Sequence, residues 1–214
     1  MNTNIDYWER ILKNPSPAYK ELFETEKNFL LKRITKNAKV LDVGCGEGRN
    51  IQTILQVTNN IVGIDNDPKA VSDAKQNLAG ASSVKILLGD VLALPFPEST
   101  FDAITLTLTL VNFNDFKIKA LREMARVLRQ DGKIIVSVYS ESALDQRTEQ
   151  YTKVGASIKT LEGQKIFFNL PVNVVSEQFS KEEIEELAAQ ADLKLSVCKK
   201  VGTLAYICEL TKCT

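Results

Sequence analysis

Between residues 37 and 139, short β-branched and aliphatic runs alternate with stretches in which apolar residues return every three or four positions. That rhythm predicts βαβ units laid into a parallel sheet. Residues 39–43 read as a buried strand running into a glycine-rich turn, after which Ile51, Ile54 and Leu55 recur at helical spacing. Residues 60–64 form a second strand. Asp67 then caps a helix with Pro68 at its first position and Val71, Ala74 and Leu78 as its buried stripe. A third strand over 84–88 closes at Gly89-Asp90, and after the turn-like Leu94-Pro95-Phe96-Pro97 a fourth occupies 101–108. The helix that follows carries Leu121, Met124, Ala125 and Leu128 on one side. Asp131-Gly132 is expected to end it in the left-handed conformation, before a fifth strand over 133–138.

From residue 140 to about 175 the rhythm is lost. A polar helical stretch over 142–159 precedes an apolar run over 165–170 with Phe167 and Phe168, and the whole segment reads as an insertion. Ser180 and Glu183 have capping-box spacing, with Phe179 placed to staple onto Ile184. Leu187, Ala188 and Ala191 continue the apolar face of that last helix. Residues 195–201 and 203–210, split by Gly202, close the chain as an antiparallel pair. The fold class is therefore α/β: a doubly wound, mostly parallel sheet of seven strands with an antiparallel C-terminal strand and helices on both faces.

A chain of 214 residues suits one domain carrying an insertion. Lys plus Arg and Asp plus Glu each number 27, so the formal net charge is zero. There is no strong nucleic-acid signal, because a chain living on phosphate contacts shows a basic excess. Lys117, Lys119, Arg122, Arg126 and Arg129 cluster, but read as a solvated helix face. Cys45, Cys198, Cys208 and Cys213 lack metal-binding spacing, and the chain has no histidine. The cysteines read as reduced thiols, and no metal is expected. The first ten residues have neither a basic flank nor an apolar stretch, and threonines interrupt the apolar segment around residues 104–113. The expected setting is cytoplasmic, with no membrane partner. Without imidazole, any general base must come from carboxylates, tyrosines or water.

The chemistry concentrates in Asp42-Val43-Gly44-Cys45-Gly46-Glu47-Gly48, where the first strand feeds the first helix. Glycines at alternate positions allow a tight turn and close approach of a ligand, and the helix start favours an anionic group. A dinucleotide loop would place its third glycine at position 49, where this chain has Arg49. A nucleoside carrying a small carboxylate suits the shorter loop. Asp65 and Asp90 end the second and third strands, so with Asp42 they face the crevice at the carboxyl edge of the sheet. Each alone is an ordinary cap or turn residue.

With these residues in place, the chain resembles the class I S-adenosylmethionine-dependent methyltransferases. The resemblance rests on Val40-Leu41-Asp42-Val43-Gly44-Cys45-Gly46-Glu47-Gly48-Arg49-Asn50, on Gly63-Ile64-Asp65 and on residues 89–96. Phe101-Asp102-Ala103-Ile104 and residues 120–128 with Gly132 add to it. It covers residues 37–139, and 179–210 more loosely. It implies a Rossmann-like sheet, S-adenosyl-L-methionine as cofactor and S-adenosyl-L-homocysteine as product. It further implies that the loop of Gly44, Cys45 and Gly46 wraps the methionine portion, with Asp42 and Gly48 among the cofactor-binding residues. Asp65 would hold the ribose, with Asn66 beside it among the cofactor-binding residues, Asp90 with the Val91 amide the adenine, and Leu106 and Thr107 would offer backbone contacts near the methionine end. Residues 1–36 become a helical cap, with Tyr7, Trp8 and Tyr19 folding over the cofactor. Residues 37–139 become the cofactor-binding core, 140–175 a substrate lid walled by Tyr151, Phe167 and Phe168, and 176–214 the closing helix and strand pair.

The chain departs from the family where relatives show a histidine pair: it has Asn112-Phe113, and Asn112 and Asn114 read as loop and cap residues. No catalytic residue is assigned, although Tyr139 and Glu141 fall just past the fifth strand. A small-molecule acceptor is expected; an RNA or protein acceptor, and a non-catalytic binding module, stay open, as does the oligomeric state.

Overall fold

The computed structural model describes residues 6–169 and 174–213. At its centre are β1 (Val40–Val43), β2 (Ile61–Asp65), β3 (Lys85–Leu88), β4 (Phe101–Thr107) and β5 (Leu128–Ser140), which run parallel in the order β3-β2-β1-β4-β5. Every residue of β1 is buried, as a parallel strand covered on both faces requires. The chain winds outward from β1 to β3 and then returns to β4 on the other side. Loops leaving β1 and β4 therefore diverge and open a crevice at the carboxyl edge.

The helices are α1 (Asp6–Lys13), α2 (Pro17–Arg33), α3 (Arg49–Ile54), α4 (Pro68–Asn77), α5 (Lys117–Val127), α6 (Leu144–Lys153) and α7 (Lys181–Gln190). Two begin as the sequence predicts. The Asp67 carboxylate accepts from the Lys69 N–H with Pro68 at the first position of α4. Ser180 and Glu183 form a reciprocal capping box on α7, with Phe179 and Ile184 both buried behind it.

The C-terminal strands β9 (Leu193–Val201) and β10 (Ala205–Lys212) pair antiparallel, and β10 lies antiparallel along β5 from Ala205 opposite Tyr139 to Thr211 opposite Lys133. This completes the expected seven-stranded core. Among the described residues three more strands extend the sheet: β6 (Ile158–Glu162), β7 (Lys165–Phe168) and β8 (Val175–Phe179), a meander of antiparallel neighbours. The sequence merges β6 into a helical stretch because its side chains are exposed or half-buried throughout and show no inward face. The helix itself stops at Lys153, and Gly155 with φ +72° follows it.

Tyr139 pairs with Ala205 on one side and Gln178 on the other, whereas the β4–β5 pairing ends at Thr107 opposite Ser137. Strand β8 therefore takes over the β4 side of β5 beyond the end of β4, and stands over the mouth of the crevice.

One local expectation is corrected. Helix α5 ends at Val127, Leu128 is already extended (φ −77°, ψ 139°), and Gly132 has no positive φ. Leu128 is fully buried opposite Phe101, and the next pair is Ala103 with Lys133, so the residues between bulge out of the strand. Burying Leu128 outweighs another helical turn. Gly132 serves close packing, since a Cβ there would lie 2.7 Å from Leu128 Cδ1. Among the described residues no helix is long and apolar enough to cross a membrane.

Candidate active site

The loop after β1 is pinned from beneath: the Gly44 and Cys45 N–H groups both donate to the Ile64 carbonyl, at 2.8 and 3.2 Å. Gly44 has φ +66°, and a Cβ on it would fall 2.4 Å from Thr109 Cγ2, so conformation and space both demand glycine. Gly46 also has positive φ (+52°), but a Cβ there would meet nothing within 4 Å, so its backbone faces open space. The Gly46 N–H donates to Asp65 Oδ2 (2.9 Å) and the Asp67 N–H to Asp65 Oδ1 (3.0 Å). One carboxylate thus clamps the glycine loop to the end of β2 while keeping lone pairs for a ligand. Asp90 Oδ1 accepts from the Leu92 N–H (2.9 Å), capping a short 3-10 turn over Val91–Ala93.

These elements surround a cavity of about 510 Å³, in the range of small-molecule sites. Of the residues named from sequence, Gly44, Cys45, Gly46, Asp65, Asn66, Asp90, Val91 and Thr107 face it; Asp42, Gly48 and Leu106 stand outside its lining. Leu106 is fully buried in β4. Gly48 (φ +93°) packs the start of α3 on α4, where a Cβ would lie 2.8 Å from Leu78 Cδ1. Asp42 is 1% exposed; its Oδ1 accepts from Thr105 Oγ1 at 2.5 Å, and its Oδ2 has no partner among the described residues. Burial pushes its pKa up to about 7, against the Thr105 hydrogen bond and the Arg49 charge, with Asp65 and Glu26 adding to the rise.

Behind the loop the elements are tied together. Glu26 of α2, 1% exposed, accepts from Arg49 Nη2 (2.7 Å) and Ser137 Oγ (2.5 Å), and the Arg49 guanidinium stacks 4.6 Å from the Phe23 ring. Asn50 Nδ2 donates to Thr107 Oγ1 at 2.5 Å. Leu108, just past β4, is held at φ +50° with its N–H shared by the Ser137 carbonyl (2.9 Å) and Oγ (3.1 Å). A non-glycine residue in this region stores strain, here in the cavity wall.

Part of the cavity wall is aromatic. Tyr7 and Trp8 of α1, Phe113, Tyr139 at the end of β5 and Tyr151 of α6 line the cavity, with Val174 just before β8 and Ser176 within it. Tyr7 stacks on Phe168 (4.6 Å between centroids) and meets Tyr151 edge-on (5.3 Å). Tyr19 lies behind, its hydroxyl donating to that of Tyr139 at 3.2 Å. Phe168 is a core residue, and Phe167 faces a separate recess with Asn114. Glu141 is turned away toward Lys200 and Tyr206. Asn112 borders the cavity, and Asn114 takes φ +46° in the turn after it. Thr109, Val174 and Ser176 escape sequence reasoning, because nothing in their local pattern marks them.

Residues 41–136 match a family described as "Methyltransferase domain". The chain is 33% identical over 113 residues to a demethylmenaquinone methyltransferase of Bacillus licheniformis, a match covering 51% of this chain and 48% of that protein. It is 27% identical over 216 residues to the demethylmenaquinone methyltransferase of Staphylococcus aureus strain MRSA252, covering 88% and 86%. The match thus spans about half the length of the first relative and most of the second. A solved structure of 1,6-didemethyltoxoflavin-N1-methyltransferase from Burkholderia thailandensis, with bound 1,6-didemethyltoxoflavin and S-adenosylhomocysteine, aligns with a TM-score of 0.69 at 18% identity. That alignment covers 96% of this chain and 83% of that one. At that identity the likeness speaks for the fold. Fold, motif order and family match agree: the chain belongs to the class I S-adenosylmethionine-dependent methyltransferases.

Proposed function

We propose that the chain transfers the methyl group of S-adenosyl-L-methionine to a small, ring-bearing acceptor and releases S-adenosyl-L-homocysteine. The observation that carries this reading is one continuous cavity whose lining joins a glycine loop flanked by Asp65 and Asp90 to aromatic side chains from α1, β5 and α6. The residues present suit the cofactor. Gly46 leaves its side of the loop open, Asp65 retains acceptor capacity for the ribose beside Asn66, and Asp90 with the Val91 amide borders the space for the adenine. Gly44, Cys45, Gly46 and Thr107 border the methionine end; Gly48, Leu106 and Asp42 hold that wall in place from behind.

Bound there, the cofactor supplies a methyl group activated by a sulfonium. The chain's own contribution is to position the acceptor and exclude water; holding two reactants in near-attack geometry supplies roughly 7 to 11 kcal/mol. Residues 6–33 and 140–169 act as cap and lid, contributing Tyr7, Trp8 and Tyr151 to the cavity lining. The names of the two relatives favour a quinone-like ring, and aromatic walls suit a flat acceptor. The balanced charge favours a small acceptor over RNA.

The test is S-adenosylhomocysteine release with a panel of hydroquinones and phenols beside tRNA and protein extracts. Turnover on a ring compound, lost at least tenfold in Asp65→Ala, is expected. Turnover confined to RNA or protein would replace the acceptor class. Cofactor binding with no release on any of them would favour a non-catalytic module.

A further inference from the structure

Arg147, on α6, is the largest of the fully buried side chains and is 0% exposed. Among the described residues none of its hydrogen-bond partners is a carboxylate. Nη1 donates to Gln178 Oε1 (3.0 Å), and Nη2 donates to Ser176 Oγ (2.7 Å), the Ser176 carbonyl (3.3 Å) and the Tyr151 hydroxyl (3.4 Å). Among the described residues Nε has no partner. The guanidinium stacks 3.9 Å from the Tyr139 ring centroid and 5.5 Å from that of Tyr151. Glu177, the carboxylate next along β8, is taken by Lys117 and Lys165. Arginine cannot shed its proton to escape burial, so the fold carries a buried cation solvated only by neutral oxygens and ring faces. Phenols surround it from α1, α2, β5 and α6, namely Tyr7, Tyr19, Tyr139 and Tyr151. Burial lifts Tyr7, Tyr19 and Tyr139 well above the ordinary phenol range, so these three bring no compensating charge near neutral pH.

The hydrogen bonds lead from this cation to the cavity. Tyr151 accepts from Arg147 and donates to the Tyr139 hydroxyl (3.3 Å), which also accepts from Tyr19 (3.2 Å). With two donors directed at it, the Tyr139 hydroxyl keeps its own proton to give. Ser176 Oγ likewise accepts from Arg147 and has a proton to give. Tyr139, Tyr151 and Ser176 all border the cavity. Preorganised donors backed by a buried positive charge match a site where negative charge sits on a ligand.

We propose that Tyr139 and Ser176, polarised by Arg147 behind them, through Tyr151 in the case of Tyr139, form a subsite for an anionic oxygen of the acceptor, that of an ionised phenol or enol. The proposal rests on the small-molecule methyltransferase reading above and names the acceptor's chemistry. It also accounts for how a site without imidazole favours the stronger nucleophile: the acceptor is held as its anion, its charge offset by the guanidinium. Tyr139 and Ser176 are the contacting residues, and Arg147 is a positioning residue that acts through them.

The test uses the whole chain saturated with S-adenosylhomocysteine. The probes are 2-hydroxy-1,4-naphthoquinone, whose ionised form is coloured, and its methyl ether, which cannot ionise; calorimetry and the visible spectrum are the readouts. The wild type is expected to bind the acid at least tenfold more tightly than the ether, and to retain the spectrum of the bound anion at a pH where the free compound is mostly protonated. Tyr139→Phe and Arg147→Met are expected to abolish both effects, and Arg147→Lys to keep part of them. Tyr139→Phe removes a single oxygen and keeps the test valid should Arg147→Met not fold. Equal binding of the two probes, tighter binding of the ether, binding of neither, or a preference that survives Tyr139→Phe combined with Ser176→Ala would overturn the subsite while leaving cofactor binding intact. Failure of the wild type to bind S-adenosylhomocysteine in the same calorimeter would bring down the underlying reading as well.

Discussion

Asp42 sits wholly behind the glycine loop with one oxygen bonded by Thr105 and the other without a partner among the described residues, and its pKa rises from 3.8 to about 7. In the unfolded chain the carboxyl ionises in the ordinary range. Between about pH 4 and pH 7 the folded protein therefore holds a proton that the unfolded chain has lost, and stability falls as pH rises through that window. Carried to pH 8, a rise of this size costs the folded state about 4 kcal/mol. Asp42→Asn removes the ionisation while its amide oxygen still accepts from Thr105. Urea unfolding followed by circular dichroism at pH 4, 6 and 8 should show the variant more stable by up to about 4 kcal/mol at pH 8. The gain should shrink at pH 6 and become nearly nil at pH 4, where the wild-type carboxyl is protonated anyway. S-adenosylhomocysteine should bind the variant more weakly, the exchange of stability for function expected of a costly buried acid near a site. Equal stabilities at pH 8, or a variant weaker at every pH, would mean that Asp42 is a well-paired carboxylate and that the reasoning from its burial is wrong.

Three other outcomes follow from local geometry. Gly44→Ala introduces a Cβ 2.4 Å from Thr109 at φ +66°, and should cost at least about 1 to 2 kcal/mol and abolish S-adenosylhomocysteine binding; normal binding would contradict the packing. Ser180→Ala removes one half of the α7 capping box, and should lower stability by about 1 kcal/mol in urea while cofactor affinity stays unchanged. Cys45, buried at the loop with its thiol pushed up by burial, should react with a thiol reagent far more slowly than exposed Cys213, and more slowly still with S-adenosylhomocysteine present. Mass spectrometry of the labelled peptides reads both rates; equal rates would contradict the burial.

The five parallel strands and the glycine loop were legible because their signals are local. An apolar run, a turn that needs glycine and a cap such as Asp67 or Ser180 each declare themselves within a few residues. The meander β6–β8 was not legible, since β6 is a largely exposed strand without alternation and β8 lies past a stretch with no periodic signal. Gly132 shows how one residue type supports two readings: a glycine after an apparent helix suggests a left-handed end, yet here it makes room for Leu128. Of the candidate site, the half drawn from contiguous motifs faces the cavity, apart from Asp42, Gly48 and Leu106, which brace it from behind. Of the half built by long-range packing, Tyr7, Trp8 and Tyr151 were named from the sequence and line the cavity, whereas Thr109, Val174 and Ser176 carried no signal. Arg147 stands on a polar helix where an arginine ordinarily meets water, and only the tertiary fold folds Tyr7, Tyr19 and Ser176 around it.

Calorimetric titration of the purified chain with S-adenosylhomocysteine, run beside Asp65→Ala, probes the central claim most directly. Saturable one-to-one binding is predicted for the wild type, with a loss of about 10- to 100-fold in the variant, the worth of hydrogen bonds to a charged group. Absence of binding at millimolar nucleoside, or equal affinity in both proteins, would contradict the assignment of this cavity to the cofactor.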